Sequence, residues 1–231
     1  MGKLFLFGCS YTAEYNDGHV PYIEYKKFRG GNFPPTWGQL LAKKLNFELV
    51  NYGKGGVGND EIFQTICEHS SEFKKGDVVI VEWTYMHRFR WTHPNHNEWL
   101  RLSVHHTNPE WISEETNNDI SISRTHILYR KQLYDFEKII ESLSNAIGFD
   151  FYVWSADCEI IYKDEKNRGF KKYITNQYIS YNETIFNEVF RRGGERILEE
   201  SKGEINDLHF GETAHLILSE LFHNDITNKL I

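Results

Sequence analysis

Three short stretches carry residue types at spacings that can do chemistry. The first is Gly8-Cys9-Ser10-Tyr11-Thr12, directly after an apolar run at 4–7. A Ser on a tight turn at a strand end is exposed and close to backbone N–H groups. A nucleophile needs this, because a tetrahedral oxyanion must find donors beside the attacking oxygen. The same Ser also suits a turn that caps the next segment. Cys9 is a rival nucleophile, and equally a small buried core residue.

The second stretch is Asn51-Tyr52-Gly53-Lys54-Gly55-Gly56-Val57-Gly58-Asn59-Asp60. Lys54-Gly55-Gly56-Val57-Gly58 has the look of a phosphate loop, but such a loop continues with Lys and then Ser or Thr. Asn59 and Asp60 stand there instead, and Asp60 repels phosphate, so nucleotide binding is set aside. A Gly-rich turn that brings backbone N–H groups up to a ligand fits better. A plain flexible turn ending in an N-cap explains Asn59-Asp60, but not glycines at 53, 55, 56 and 58. The third stretch is Asn206-Asp207-Leu208-His209-Phe210. A carboxylate two residues from a His can orient the ring and stabilise the imidazolium. An Asp that opens a turn next to a surface His is the plainer reading.

The elements around these stretches must bring them together. Apolar runs at 4–7, Val78–Trp83 and 150–154 are short and nearly continuous, the pattern of parallel strands covered on both faces. Residues 47–51 form a weaker run, broken by Glu48. Helical stripes lie between and after them. Thr36 can cap one carrying Trp37, Leu40, Leu41 and Leu45, and Asn59 or Asp60 one carrying Ile62, Phe63, Ile66 and Phe73. Others hold Leu133, Phe136, Ile140, Leu143 and Ile147; Ile185, Phe186, Val189 and Phe190; and, from Glu212, Leu216 to Phe222. Strand alternating with helix predicts a doubly wound α/β fold, whose ligands bind at the carboxyl ends of the strands. Two stretches, 13–35 and 86–124, show no clear period. They are expected to be functional insertions leaving that edge.

The chain of 231 residues is ordinary in its 40% apolar and 26% charged content, and its 15% aromatics argue against disorder. With 26 basic against 33 acidic residues it has no overall electrostatic footprint for nucleic acid or anionic lipid. No apolar run reaches the ~18–20 residues of a membrane helix, and the start is too short for a signal h-region. The expectation is a cytoplasmic protein with no membrane or nucleic-acid partner; a virion protein or a secreted one would look alike. Cys9, Cys67 and Cys158 are few and far apart, so no disulfide framework is implied.

Taken in order, the three stretches resemble the blocks of the SGNH (GDSL-type) hydrolases. Gly8-Cys9-Ser10 stands where the family has Gly-Asp-Ser, with Cys9 in place of the Asp. Asn51, Gly53 and Gly56 match Asn-x-Gly-x-x-Gly. The resemblance implies a single domain over 1–231, a three-layer α/β/α sandwich on a doubly wound parallel sheet of about five strands in the order 2-1-3-4-5. A long insertion follows strand three, and a fifth strand is sought near 171–175. It further implies a catalytic triad of Ser10, Asp207 and His209, with no cofactor and no metal. The family's last block is usually Asp-x-x-His, which would put the acid at Asn206; the shorter Asp-x-His puts it at Asp207, the better partner for an imidazolium. The oxyanion hole would take the N–H groups of Ser10 and Gly56. The family's third donor, an Asn after strand three, is missing, and Thr84 or Asn59 would stand in.

The implied activity is a serine esterase working through an acyl-enzyme. The insertion at 86–124 favours a carbohydrate O-acetyl ester: Trp91, Trp99 and Trp111 beside Arg88, Arg90 and Arg101 suit the apolar faces of sugar rings. The same residue types also make oligomer contacts. His87, His93, His96, His105 and His106 lie there too, but no Cys or closely spaced carboxylate completes a zinc set. Two other readings stay open: an O-acyltransferase, which is the same chemistry with an alcohol acceptor, and a catalytically degenerate module that binds a glycan or builds an assembly.

Overall fold

The computed structural model describes residues 2–85, 88–92, 99–103, 126–155 and 185–227. Strand β1 (Lys3–Phe7) leads into α1 (Val20–Phe28) and α2 (Trp37–Leu45), then β2 (Glu48–Asn51), α3 (Asn59–His69) and β3 (Val78–Trp83). An antiparallel hairpin, β4 (Arg88–Thr92) and β5 (Trp99–Ser103), follows. After it come α4 (His126–Ile147), β6 (Asp150–Ser155), α5 (Ile185–Arg191), α6 (Ile197–Glu200) and α7 (Glu212–Thr227).

Four strands pair in parallel in the order β2-β1-β3-β6, with β6 the fourth of them along the chain. That is the expected 2-1-3-4 arrangement of an α/β fold; the fifth strand sought near 171–175 falls outside the described residues. The central strands are buried along their length, as their unbroken apolar runs require, while β2 is a half-exposed edge.

Helices cover both faces. On one, Trp37 of α2 meets Phe222 of α7 and Trp154 of β6, with ring centroids 4.9 and 6.0 Å apart. On the other, Phe63 of α3 stacks on Phe136 of α4 at 3.9 Å, and Trp83 Nε1–H donates to Glu137 at 2.8 Å. Side chains of β1 alternate between the layers: Leu6 lies against Gly38 of α2, whereas Phe5 and Phe7 pack edge-on against Phe73. Trp37 and Trp83 are among the largest wholly buried side chains, and truncating either to Ala should cost ~3–5 kcal/mol.

The structure corrects three details. Residues 13–35 contain a helix, α1, which has Pro21 in its first turn. Part of 86–124 is a hairpin, whose cue was the polar–apolar alternation Arg88-Phe89-Arg90-Trp91-Thr92 between His- and Asn-rich flanks. The cap of α3 is Gly58, so Asn59 is already helical and its side chain is released inward.

Candidate active site

The strand order reverses between β1 and β3, since β2 lies on one side of β1 and β3 on the other. Ligands in open α/β sheets sit at such a switch point, beyond the carboxyl ends. Ser10 follows β1 there, and Thr84 follows β3.

The Ser10 turn is a tight one. Thr12 N–H and Ala13 N–H both donate to the Cys9 carbonyl, at 3.0 and 2.9 Å. What fixes the turn is Glu82, a wholly buried carboxylate near the end of β3. Its Oε2 accepts Cys9 N–H at 3.1 Å and the Thr12 hydroxyl at 2.6 Å, and its Oε1 accepts the Cys9 thiol at 2.8 Å. Burial pushes the Glu82 carboxyl above its usual range, against the pull of these donors and of the Arg88 charge. Burial, reinforced by the Glu82 charge, pushes the Cys9 thiol up to about 12, so at neutral pH it is not a thiolate nucleophile. Ser10, in contrast, is half-exposed; its Oγ lies 3.9 Å from Cys9 Sγ.

The Gly-rich turn is bolted onto this one. Lys54 N–H donates to the Gly8 carbonyl at 3.0 Å. The Asn51 side chain joins both turns, its Nδ2 donating to the Thr12 carbonyl at 2.9 Å and its Oδ1 accepting Gly53 N–H at 2.8 Å. Gly53 must be Gly: a Cβ there would stand 2.6 Å from Ala13 N. Gly55 passes over Ser10, where a Cβ would lie 3.9 Å from that of Ser10, and Gly56 turns with a φ of 76°. The N–H groups of Ser10 and Gly56 donate to no protein acceptor among the described residues.

Thr84 and Asn59 have other work. The Asn59 amide is buried and locked to the Thr84 main chain, with Oδ1 accepting its N–H at 2.7 Å and Nδ2 donating to its carbonyl at 3.0 Å. The Thr84 hydroxyl is buried as well and accepts from Arg88 at 3.3 Å. The amide of Asn59 is thus engaged through both its polar atoms, tying α3 to the end of β3, whereas the bond from Arg88 uses the Thr84 oxygen and not its proton.

The third stretch approaches from the other end of the chain. Residues 207–211 run beside 195–198, with Ile197 N–H donating to the His209 carbonyl at 3.0 Å and Leu198 N–H to the Asp207 carbonyl at 2.9 Å. This strap buries the Asp207 carboxylate. Its Oδ1 faces His209 Nδ1 at 2.6 Å and accepts His209 N–H at 2.7 Å, while Oδ2 faces His19 Nε2 at 3.2 Å. Burial works against the Asp207 charge, but the bonds from the ring and main chain of His209 and from His19 outweigh it and hold the carboxyl below its usual value. Asn206 is exposed. With Nδ1–H turned to the carboxylate, His209 keeps its Nε2 lone pair as the basic position. Its ring packs against Tyr11 at 5.3 Å and Tyr22 at 5.5 Å. Tyr11 is thus the bridge from Ser10 to His209, which share no hydrogen bond. Catalytic bonds often tighten only with substrate bound.

His215 is not at the reacting edge. It is buried and neutral, pushed down to about 3 by burial and by the nearby His209. It stands in a chain in which each donor has an acceptor: Trp37 N–H to His215 Nδ1 at 3.1 Å, His215 Nε2–H to Tyr15 Oη at 3.0 Å, and Tyr15 O–H to the Phe210 carbonyl at 2.6 Å. The chain pins the residue after His209 to α2.

Two site residues escaped the sequence reading. Glu82 had a cue, a lone carboxylate inside Val78-Val79-Ile80-Val81-Glu82-Trp83. His19 had none, since it lies 188 residues from the Asp207 it faces. The expected contributions of the insertion's His residues and of Trp91, Trp99, Trp111, Arg90 and Arg101 fall on side chains outside the described ones. The hairpin itself is rooted at the Gly-rich turn, where a Cβ on Gly58 would lie 2.8 Å from the Arg88 carbonyl. No described helix is long and apolar enough to cross a membrane.

No protein-family model and no curated protein matches the chain. Among solved structures, the protein YxiM of Bacillus subtilis is similar to it at 15% identity with a TM-score of 0.40, over 100% of this chain and 57% of that one. The chain therefore spans a little over half the length of that protein, and the likeness is too loose to bear on chemistry.

Proposed function

We propose that the chain is a serine esterase, acting on carboxylic esters through an acyl-enzyme. The observation that carries this reading is the buried Asp207 carboxylate set 2.6 Å from His209 Nδ1, next to a Ser turn anchored at the sheet's switch point. Ser10 Oγ attacks the acyl carbonyl carbon, and its proton passes to His209 Nε2. Asp207 stabilises the imidazolium so formed. The N–H groups of Ser10 and Gly56 hold the oxyanion. As the tetrahedral centre collapses, His209 returns the proton to the leaving alcohol. Water then repeats the cycle on the acyl-serine and frees the acid. An alcohol in place of water would make the same centre an O-acyltransferase. A carbohydrate O-acetyl ester is the substrate class we favour, because the Trp- and Arg-bearing hairpin is rooted on the turn that borders Ser10. The three SGNH-like blocks of the sequence support the same assignment of Ser10, Asp207 and His209.

The test is hydrolysis of p-nitrophenyl acetate by wild type, Ser10→Ala and His209→Ala, together with labelling by a fluorophosphonate. Wild type should turn over and label, and each variant should lose ~10³-fold or more in rate. Labelling that survives Ser10→Ala refutes the proposal. A second reading, a degenerate binding module, draws on the engaged amide of Asn59 and on the gap between Ser10 and His209. It requires all three proteins to be folded and to match the buffer rate.

A further inference from the structure

Asp207 is shared by two imidazoles, and a triad uses one. Ligand atoms, one each from His19, Asp207 and His209, lie within 4.8 Å of one another, and His19 Nε2 and His209 Nδ1 are the nitrogens that face the carboxylate. The set holds two neutral-nitrogen donors and one carboxylate, the donor chemistry of a borderline divalent ion such as Zn²⁺. Asp207 is buried in its strap, with 3% of its side chain exposed, whereas His19 is 46% and His209 27% exposed. His19 sits at the N-cap of α1, where its side chain makes no capping bond. Tyr22 packs edge-on against His19 at 4.6 Å and faces His209 at 5.5 Å, forming one apolar wall of the cluster.

We infer that His19, Asp207 and His209 form a binding site for Zn²⁺, and that the ion switches the esterase centre off. Two nitrogens on a tetrahedral Zn²⁺ at ~2.0–2.1 Å stand ~3.3–3.4 Å apart, so from a separation of at most 4.8 Å the two rings must close by up to ~1.4 Å. Rotation of the part-exposed His19 and His209 rings supplies that movement and opens the 2.6 Å contact of His209 Nδ1 with Asp207 as the ion replaces its proton, and water fills the remaining position. The consequence for catalysis follows from the proton count on His209. A neutral imidazole carries one ring proton. When the ion takes Nδ1, that proton moves to Nε2, the nitrogen that would otherwise accept the proton of Ser10. The ring is then no longer a base, and Asp207 is spent on the metal.

The inhibition rests on the serine-esterase reading; the site itself does not. Binding is therefore read separately from activity, with Co²⁺ as a spectroscopic stand-in for Zn²⁺. Wild type titrated with Co²⁺ should develop visible d–d bands at one ion per chain, removable by EDTA. His19→Ala, a change at a half-exposed position, should weaken binding about tenfold or more, as loss of one of three protein ligands demands. The paired variant His93→Ala with His96→Ala should bind as wild type does, which separates this site from the His-rich insertion. Zn²⁺ should inhibit p-nitrophenyl acetate hydrolysis by wild type in step with occupancy. Relative to its own metal-free rate, His19→Ala should need about tenfold more Zn²⁺ for the same inhibition. Absence of bands at millimolar Co²⁺, or bands that develop in His19→Ala at the same Co²⁺ concentration as in wild type, overturns the site. Binding at this site without inhibition of an active enzyme overturns the switch. Binding that depends on His19 in a protein with no esterase activity upholds the site and counts against the esterase reading alone.

Discussion

Replacing His215 with Gln should flatten the acid limb of the protein's stability. His215 is buried and held neutral, pushed down to about 3, while an imidazole in an unfolded chain titrates near 6.5. Between those values the unfolded chain takes up a proton that the native state refuses. A group whose folded pKa is depressed in this way supports the fold above its unfolded value, and the support drains away as pH falls towards 3. The slope is about 1.4 kcal/mol per pH unit once the unfolded imidazole is fully protonated, and the loss between pH 7 and pH 5 integrates to ~2 kcal/mol. Gln keeps a carbonyl to accept the Trp37 N–H and an amide to face Tyr15, but cannot titrate. Urea unfolding followed by Trp fluorescence at pH 7 and pH 5 gives the stability of each protein. Groups common to both cancel in the comparison. Wild type should lose ~2 kcal/mol more than His215→Gln over that interval. Curves that fall in parallel, within ~0.5 kcal/mol, would refute a buried neutral His215 and with it the bonded chain that pins Phe210.

Three further outcomes can be checked. Asp207→Asn should lower kcat for p-nitrophenyl acetate by ~10³-fold or more with KM little changed, because an amide cannot stabilise the imidazolium. Glu82→Ala leaves the Cys9 N–H, the Cys9 thiol and the Thr12 hydroxyl without their buried acceptor. At ~1–3 kcal/mol each for the three stranded groups, and ~2–4 °C per kcal/mol for a chain of this size, it should lower the melting temperature by ~6–36 °C, whereas Glu82→Gln, which retains an acceptor oxygen, should fall much less. Iodoacetamide at pH 8 should modify exposed Cys67 in the native protein and reach Cys9 only after denaturation, as peptide mass mapping would show.

The parts of the site that the sequence made visible are those set by neighbours along the chain. Asp207 and His209 stand two residues apart, so their contact is already implied by a turn. Asn51 and Gly53 are equally local, and Asn51 Oδ1 takes the Gly53 N–H across that same short span. The alternation of apolar strands with striped helices is local too, and it suffices for a parallel sheet between helices, whereas the order 2-1-3-4 is implied only by the resemblance of the three short blocks. Where the reading stopped short, a distant partner decided. Asn59 looked like a cap or an oxyanion donor until the carboxyl end of β3 claimed its amide. Helix α1 was hidden because its hydrophobic side, Tyr22 and Tyr25, is completed by Ile197 and Ile205 from near the other end of the chain.

By itself, then, the sequence determined the four strands of the parallel sheet and most of the helices around it, and it singled out Ser10, Asp207 and His209 by their chemical types. Periodicity and residue type encode these directly, since a side chain's face is set by its own backbone. Only the tertiary structure decided that Glu82 anchors the Ser10 turn, that Cys9 is silenced, and that His19 reaches the far oxygen of Asp207. Those relations join residues 73 to 188 positions apart. No local pattern specifies such a pairing; it exists because the sheet and its helices bury a carboxylate, and a buried carboxylate must find its donors wherever the chain brings them.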